Sequence, residues 1–148
     1  MQHVIRRGAA DWRVLVVAGA VVALGIGGLI WGMRGGPEPI ADTEIGRQVA
    51  DAFLKGIQAG QADAAWESTS AEFKSAEGRE SFGRYVRSHS ILRQPLSFVR
   101  YEVSDLNGLK RGVCHYEPAA GPSPSALKVR IVIAHEADEW KVEGLFVE

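Results

Sequence analysis

The sequence predicts an α+β fold: about three N-terminal helices packed on a curved four-stranded antiparallel sheet, with one transmembrane helix ahead of them. Three observations carry that expectation. An uninterrupted apolar run occupies residues 14–33. Over residues 42–95 apolar side chains recur at helical spacing. From Phe98 onward they alternate with polar ones, and the punctuation becomes that of hairpins.

Length and composition set the outer bounds. A chain of 148 residues holds at most one ordinary domain beyond a membrane segment. A net charge of −1 excludes a strongly basic nucleic-acid-binding protein, so no nucleic-acid partner is expected. The single cysteine excludes an intrachain disulfide and any multi-cysteine zinc site.

The first element is the apolar run, VLVVAGAVVALGIGGLIWGM. About 20 helical residues at roughly 1.5 Å each span the ~30 Å hydrocarbon core of a bilayer. A central charge would cost ~2.5–3.5 kcal/mol on insertion, and the run contains none. Trp12 and Trp31 flank it, where indoles favour the interface. A cleaved signal peptide has an apolar region of ~7–15 residues and a small-x-small site. This run is longer and ends in Trp31-Gly32-Met33-Arg34, so an uncleaved signal anchor is expected. Arg6, Arg7 and Arg13 precede it, whereas only Arg34 follows before Glu38 and Asp42. The tail 1–13 is therefore expected in the cytoplasm, with the domain 42–148 periplasmic or otherwise extracytoplasmic. Gly19, Ala23 and Gly27, and separately Gly28 and Gly32, recur at spacing four. Such stripes let membrane helices approach closely and mark a candidate contact with a second copy or a partner helix. Gly and Ala are also frequent in membrane helices without that role. Residues 34–41 read as a Gly/Pro linker.

In the domain, Asp42 or Thr43 can cap a first helix bearing Ile45, Val49, Phe53 and Ile57 on one stripe, with Gly60 ending it. A short second helix is expected over 61–69, burying Ala62, Ala65 and Trp66. Ser75 is expected to cap a third, in which Phe82, Tyr85 and Val86 share a face and Glu80 and Arg84 pair on the wet side. A strand over 98–106 places Val99, Tyr101 and Val103 together. Asn107-Gly108 is a two-residue hairpin turn. Strands over 110–117, 127–134 and 140–147 follow, with a loop at 118–125 and a turn at 135–139.

The run from Phe53 to Trp66 (FLKGIQAGQADAAW), then Phe73, Ser81-Phe82 and Asp138-Glu-Trp140-Lys-Val142, resembles small bacterial membrane-anchored NTF2-like (cystatin-like) domains over residues 43–147. That resemblance implies a sheet wrapped around a long helix to form a cone. Some members of the superfamily use the cone as a ligand pocket, as ketosteroid isomerases and polyketide cyclases do. Others use it as a docking surface in secretion assemblies, behind one transmembrane helix.

No catalytic, cofactor-binding or metal-binding set emerges from the residues. His115 and Glu117 can share a strand face, but two ligands are too few for a metal. Cys114 and His115 point to opposite faces, and Cys114 reads as a small buried hydrophobe. Arg84, Arg87, His89 and Arg93 make a basic surface cluster, and His135 with Asp138 a solvated acidic turn. Trp66, Phe73, Tyr85, Tyr101 and Trp140 are the candidates for core or pocket lining. The expected function is a non-enzymatic interaction or assembly module of the cell envelope, binding another protein or itself. The alternative is small-molecule binding, or isomerase- or cyclase-like chemistry, in the cone.

Overall fold

The computed structural model describes residues 38–120 and 127–148. The expected tail, the anchor with Gly19, Ala23, Gly27, Gly28 and Gly32, and the first half of the linker lie outside the described residues. Among the described residues, no helix is long and apolar enough to cross a membrane.

Helices α1 (Thr43–Gln58), α2 (Ala62–Glu67), α3 (Ala71–Ala76) and α4 (Arg79–Ser88) precede a 3-10 turn (Ser90–Arg93) and strands β1 (Leu96–Leu106), β2 (Leu109–Pro118), β3 (Val129–Glu136) and β4 (Glu139–Val147). The strands form one antiparallel meander in the order β1-β2-β3-β4. The class is α+β, with four helices where the sequence suggested about three.

Helix α1 starts where the Asp42 carboxylate accepts from the Ile45 amide at 2.8 Å. It stops at Gly60, whose φ of 76° suits a residue without a side chain. There the Gly60 and Gln61 amides bond back to Ile57 and Gly56, satisfying the last carbonyls. The buried face is Gly46, Ala50, Phe53, Leu54 and Ile57. Ile45 and Val49 sit half-buried on its flank, so the expected stripe is rotated. The reason is Tyr101: its ring lies so close to Gly46 that a Cβ there would be 2.8 Å from it.

The additional helix is α3. The Ser70 hydroxyl accepts from the Phe73 amide at 3.1 Å, so Ser70 is the cap, and Ser75 lies inside the helix. The Ala71 amide also donates to the Glu136 carboxylate at 2.8 Å, and the Ser70 amide to the Val142 carbonyl at 2.9 Å. The start of α3 is thus fixed by the far hairpin. Gly78 then opens α4. Glu80 and Arg84 stay exposed, and the ion pair near this helix is Arg79–Glu67.

The core lies between α1, α3, α4 and one face of the sheet. Phe53, Phe73 and Phe82 meet edge to face or tilted, with centroids 5.6–6.4 Å apart, a favoured arrangement of ring quadrupoles. Ile131, Ile133, Val129 and Val142 close them from below. Two bulges tune which side chains reach this face. Phe98 pairs with Tyr116 and Arg100 with His115, so Val99 is an extra residue. Phe98 and Tyr101 therefore both face inward, and Val99 is left exposed, unlike the face expected for Val99, Tyr101 and Val103. Likewise Gly144 opposes Val132 and Val142 opposes Ile133, which makes Glu143 the extra residue of β4.

The β1–β2 and β3–β4 hairpins each turn in two residues with positive φ: Asn107 (56°) and Gly108 (81°), then Ala137 (51°) and Asp138 (65°). His135, Glu136 and Glu139 belong to the strands, so the second turn is shorter than expected. Alanine in this conformation costs roughly 1–2 kcal/mol. Replacing Ala137-Asp138 by Asn-Gly is therefore expected to stabilise the fold by about 1 kcal/mol. Urea unfolding measures it, and an unchanged or lower midpoint would refute the turn.

Candidate functional site

The five aromatic candidates do not line one chamber. Phe73 is core, 6% exposed. Trp66 is half-buried, its indole N–H donating to the Glu77 carbonyl at 2.7 Å. Tyr101 seals α1 against β2, its ring over Gly46 and Gly112 and its hydroxyl donating to the Ala41 carbonyl. Tyr85 and Phe73 line a surface groove of about 160 Å³ beside β4. Trp140 lines another, of about 400 Å³, with Val49, Gly56, Gln61 and Ser68 between α1 and α2. Aromatic and aliphatic side chains fill the space between the helices and the sheet.

The most constrained polar group is Arg111. Its side chain is 7% exposed, and the guanidinium grips the Glu143 carboxylate as a fork, Nε–Oε2 2.7 Å and Nη2–Oε1 3.1 Å. Its third nitrogen, Nη1, pairs with Glu38. Glu143 can present both oxygens because it is the extra residue of β4, turned out of the regular ladder. These carboxylates raise the guanidinium's affinity for its proton, Glu143 contributing most. Ala41 is 3% exposed. Ala41 therefore packs into the domain, and Glu38 is tied to it through Arg111.

Arg111 and Glu143 line a groove of about 220 Å³ with Leu106, Leu109, Val132 and Phe146. Leu109 is 47% and Phe146 45% exposed, so its lip is apolar and open to solvent. The guanidinium plane of Arg130 covers the Phe146 ring at 5.3 Å.

Other titratable groups are engaged locally. His115 Nε2 meets Glu102 Oε1 at 2.9 Å across β1–β2, and this bond holds the Glu102 carboxyl below its usual range. Glu117, which can share a strand face with His115, faces Lys128 at 3.7 Å. The Tyr116 hydroxyl donates to Asp51 at 2.7 Å, and burial raises its pKa. Burial pushes the Cys114 thiol up to about 12, with the Asp51 charge adding to it. The His135 ring meets Trp140 edge on at 4.8 Å, and Glu136 caps α3, so this hairpin end is structural. His89 ends α4 with its ring against Tyr85 at 4.2 Å. Arg111 escaped the sequence reading although one signal existed: a cation directly before the small-apolar stretch Gly112-Val113-Cys114. Its partners required the β4 bulge and were not legible.

Two outcomes are expected. Arg111→Met strands the Glu143 carboxylate and should destabilise by about 3 kcal/mol, whereas Arg111→Met with Glu143→Leu should recover most of that loss. Urea unfolding of the wild type, both single variants and the double variant checks this, and strict additivity would refute the coupling. Alkali should also weaken the fold. The Cys114 thiol ionises near its ordinary value of 9 when unfolded but near 12 when folded. The unfolded state then binds fewer protons, so this contribution is intact below pH 9 and falls toward 12, by at most about 1.4 kcal/mol per pH unit. Cys114→Ala should delay the decline to the range where tyrosines ionise; an unaltered onset would refute the assignment. Comparison with protein-family models and with curated proteins found no match to this chain.

Proposed function

We propose that the chain is a single-pass membrane protein whose extracytoplasmic NTF2-like domain is a non-enzymatic interaction or assembly module of the cell envelope. The observation that carries this reading is the filled interior: Phe53, Phe73 and Phe82 occupy the middle of the fold. What the domain presents is surface. The groups that acid–base chemistry would need are engaged in structural pairs, Glu102 with His115, Asp51 with Tyr116 and Glu143 with Arg111. The apolar run 14–33 and its flanking arginines support the anchor and its direction. Fold order and core aromatics support the NTF2-like assignment, which by itself carries no function.

A second reading rests on the groove between α1 and α2. At about 400 Å³ it falls within the ~300–1,000 Å³ range of small-molecule sites. Trp140 offers an apolar wall, and Gln61 and Ser68 offer polar contacts.

The test combines topology with composition. An alkaline phosphatase fused after Glu148 should be active and a cytosolic reporter there silent. The full chain, purified from its native membranes in mild detergent, should carry a stoichiometric envelope protein or additional copies of itself. Activity of only the cytosolic reporter would overturn the topology. A lone protomer that is thermally stabilised by small molecules in the wild type but not in Trp140→Ala would favour the second reading.

A further inference from the structure

The two edges of the sheet differ. On β4 the outer backbone groups meet the helical half: the Val142 carbonyl accepts from the Ser70 amide at 2.9 Å, and the Val147 amide donates to the Tyr85 hydroxyl at 3.1 Å. On β1, which is 11 residues long, the backbone pairs with β2 alone, and among the described residues no hydrogen bond reaches its other side. An unpaired strand edge is a template for another strand.

The register identifies the open groups. Asn107 and Gly108 both have positive φ, as a type I′ turn requires, and such a turn makes Leu106–Leu109 a hydrogen-bonded pair. Bonded and non-bonded pairs alternate along an antiparallel ladder. Ser104, Glu102 and Arg100 therefore turn their backbone groups to β2, and Asp105, Val103 and Tyr101 turn theirs outward. The bulge at Val99 bounds this regular stretch on one side and the turn at Asn107 on the other. Its midpoint is Val103, which is 50% exposed.

The stretch is complementary to itself. About a two-fold axis through Val103, a second copy sets Val103 against Val103 and Tyr101 against Asp105, so each outward amide and carbonyl meets its counterpart. Glu102 then comes opposite Ser104, with its charge already answered by His115 at 2.9 Å and Arg100 at 3.3 Å. An axis through Glu102 would set two carboxylates face to face. Axes through Tyr101 or Ser104 would run one end of the pairing into the bulge or the turn.

We propose that β1 is a self-association edge: two copies of the chain pair their β1 strands antiparallel about Val103. This pairing rests on the reading of the domain as an interaction module, and it names the partner, a second copy, and the surface. The bulge and the turn stop further pairing along the edge, so the assembly closes at two copies.

The full chain in mild detergent tests it. Light scattering, corrected for detergent, should give twice the protomer mass. Under mild oxidation Val103→Cys should form a disulfide-linked dimer several-fold more than Val99→Cys, a comparably exposed position outside the stretch. Cys114 is fully buried and does not react in the folded chain. Val103→Pro removes an outward N–H and none from the β1–β2 ladder, so it should halve the mass while the circular dichroism stays that of the folded chain. Val103→Lys opposes two cations on the axis and should also halve the mass, which covers a proline variant that fails to fold. A wild-type chain that is monomeric yet carries a stoichiometric envelope protein keeps the interaction reading and overturns this pairing. A dimer that persists in both variants, or cross-links equally at 99 and 103, joins through another surface and also overturns it. A monomer without any partner removes both.

Discussion

A cationic side chain that is 7% exposed must have its charge answered within the fold, and much of the arrangement follows from how Arg111 is answered. Glu143 must offer both oxygens, which requires β4 to carry an extra residue at that point. The extra residue changes the strand's phase, so Val142 and Leu145, three positions apart, both face the core. Glu38 must come close as well, which goes with Ala41 lying buried where the Tyr101 hydroxyl can reach it. Tyr101 then lies flat over Gly46 and Gly112, two positions where any side chain would collide with its ring. One buried charge thereby connects the residues just ahead of α1, the phase of β4 and the rotation of α1. A buried ion pair of this kind is weak support for stability, because desolvation offsets its attraction. Its use here is geometric: it holds particular segments in register.

Stability comes instead from the aromatic and aliphatic middle of the fold. Small domains bury a modest share of their surface, so leaving the space between helices and sheet empty would forgo much of the available apolar burial. Phe53, Phe73 and Phe82 fill it, one ring from each of three helices. Trp66 fastens the helices to each other from outside, through its bond to Glu77 and the Arg79 guanidinium stacked at 5.1 Å.

The parts legible in the sequence were those set by neighbours in the chain. Asp42 caps, Gly60 terminates and Asn107-Gly108 turns because each acts over a few residues. The strand pattern of Val129, Ile131 and Ile133 was equally plain, since period two survives wherever a strand is regular. What escaped was set from afar. Helix α3 is too short for a periodic signal, and its start is held by Glu136. The bulges at Val99 and Glu143 change phase within a strand, which a period-two reading carries straight through. The candidate site suffered most. Arg111, Glu143 and Glu38 come from three separate stretches, and their meeting is decided by register and by a bulge. The five aromatics were sound as members of the interior and its margins, but dispersed rather than gathered around one chamber.

The Ala71–Glu136 bond has a consequence for the order of assembly. A polypeptide is made from its N-terminus, so the helices emerge well before the strands. Helix α1 carries its own cap and terminator and can form at once. Helix α3 has its own Ser70 cap, but its Ala71 amide is partnered by an oxygen 65 residues further along, and the Ser70 amide by Val142 on the last strand. Phe73 sits on that helix, so the three-ring cluster stays open on one side until the final hairpin arrives. The closing hairpin is thus the piece that supplies the partners of both amides and completes the helical half's packing.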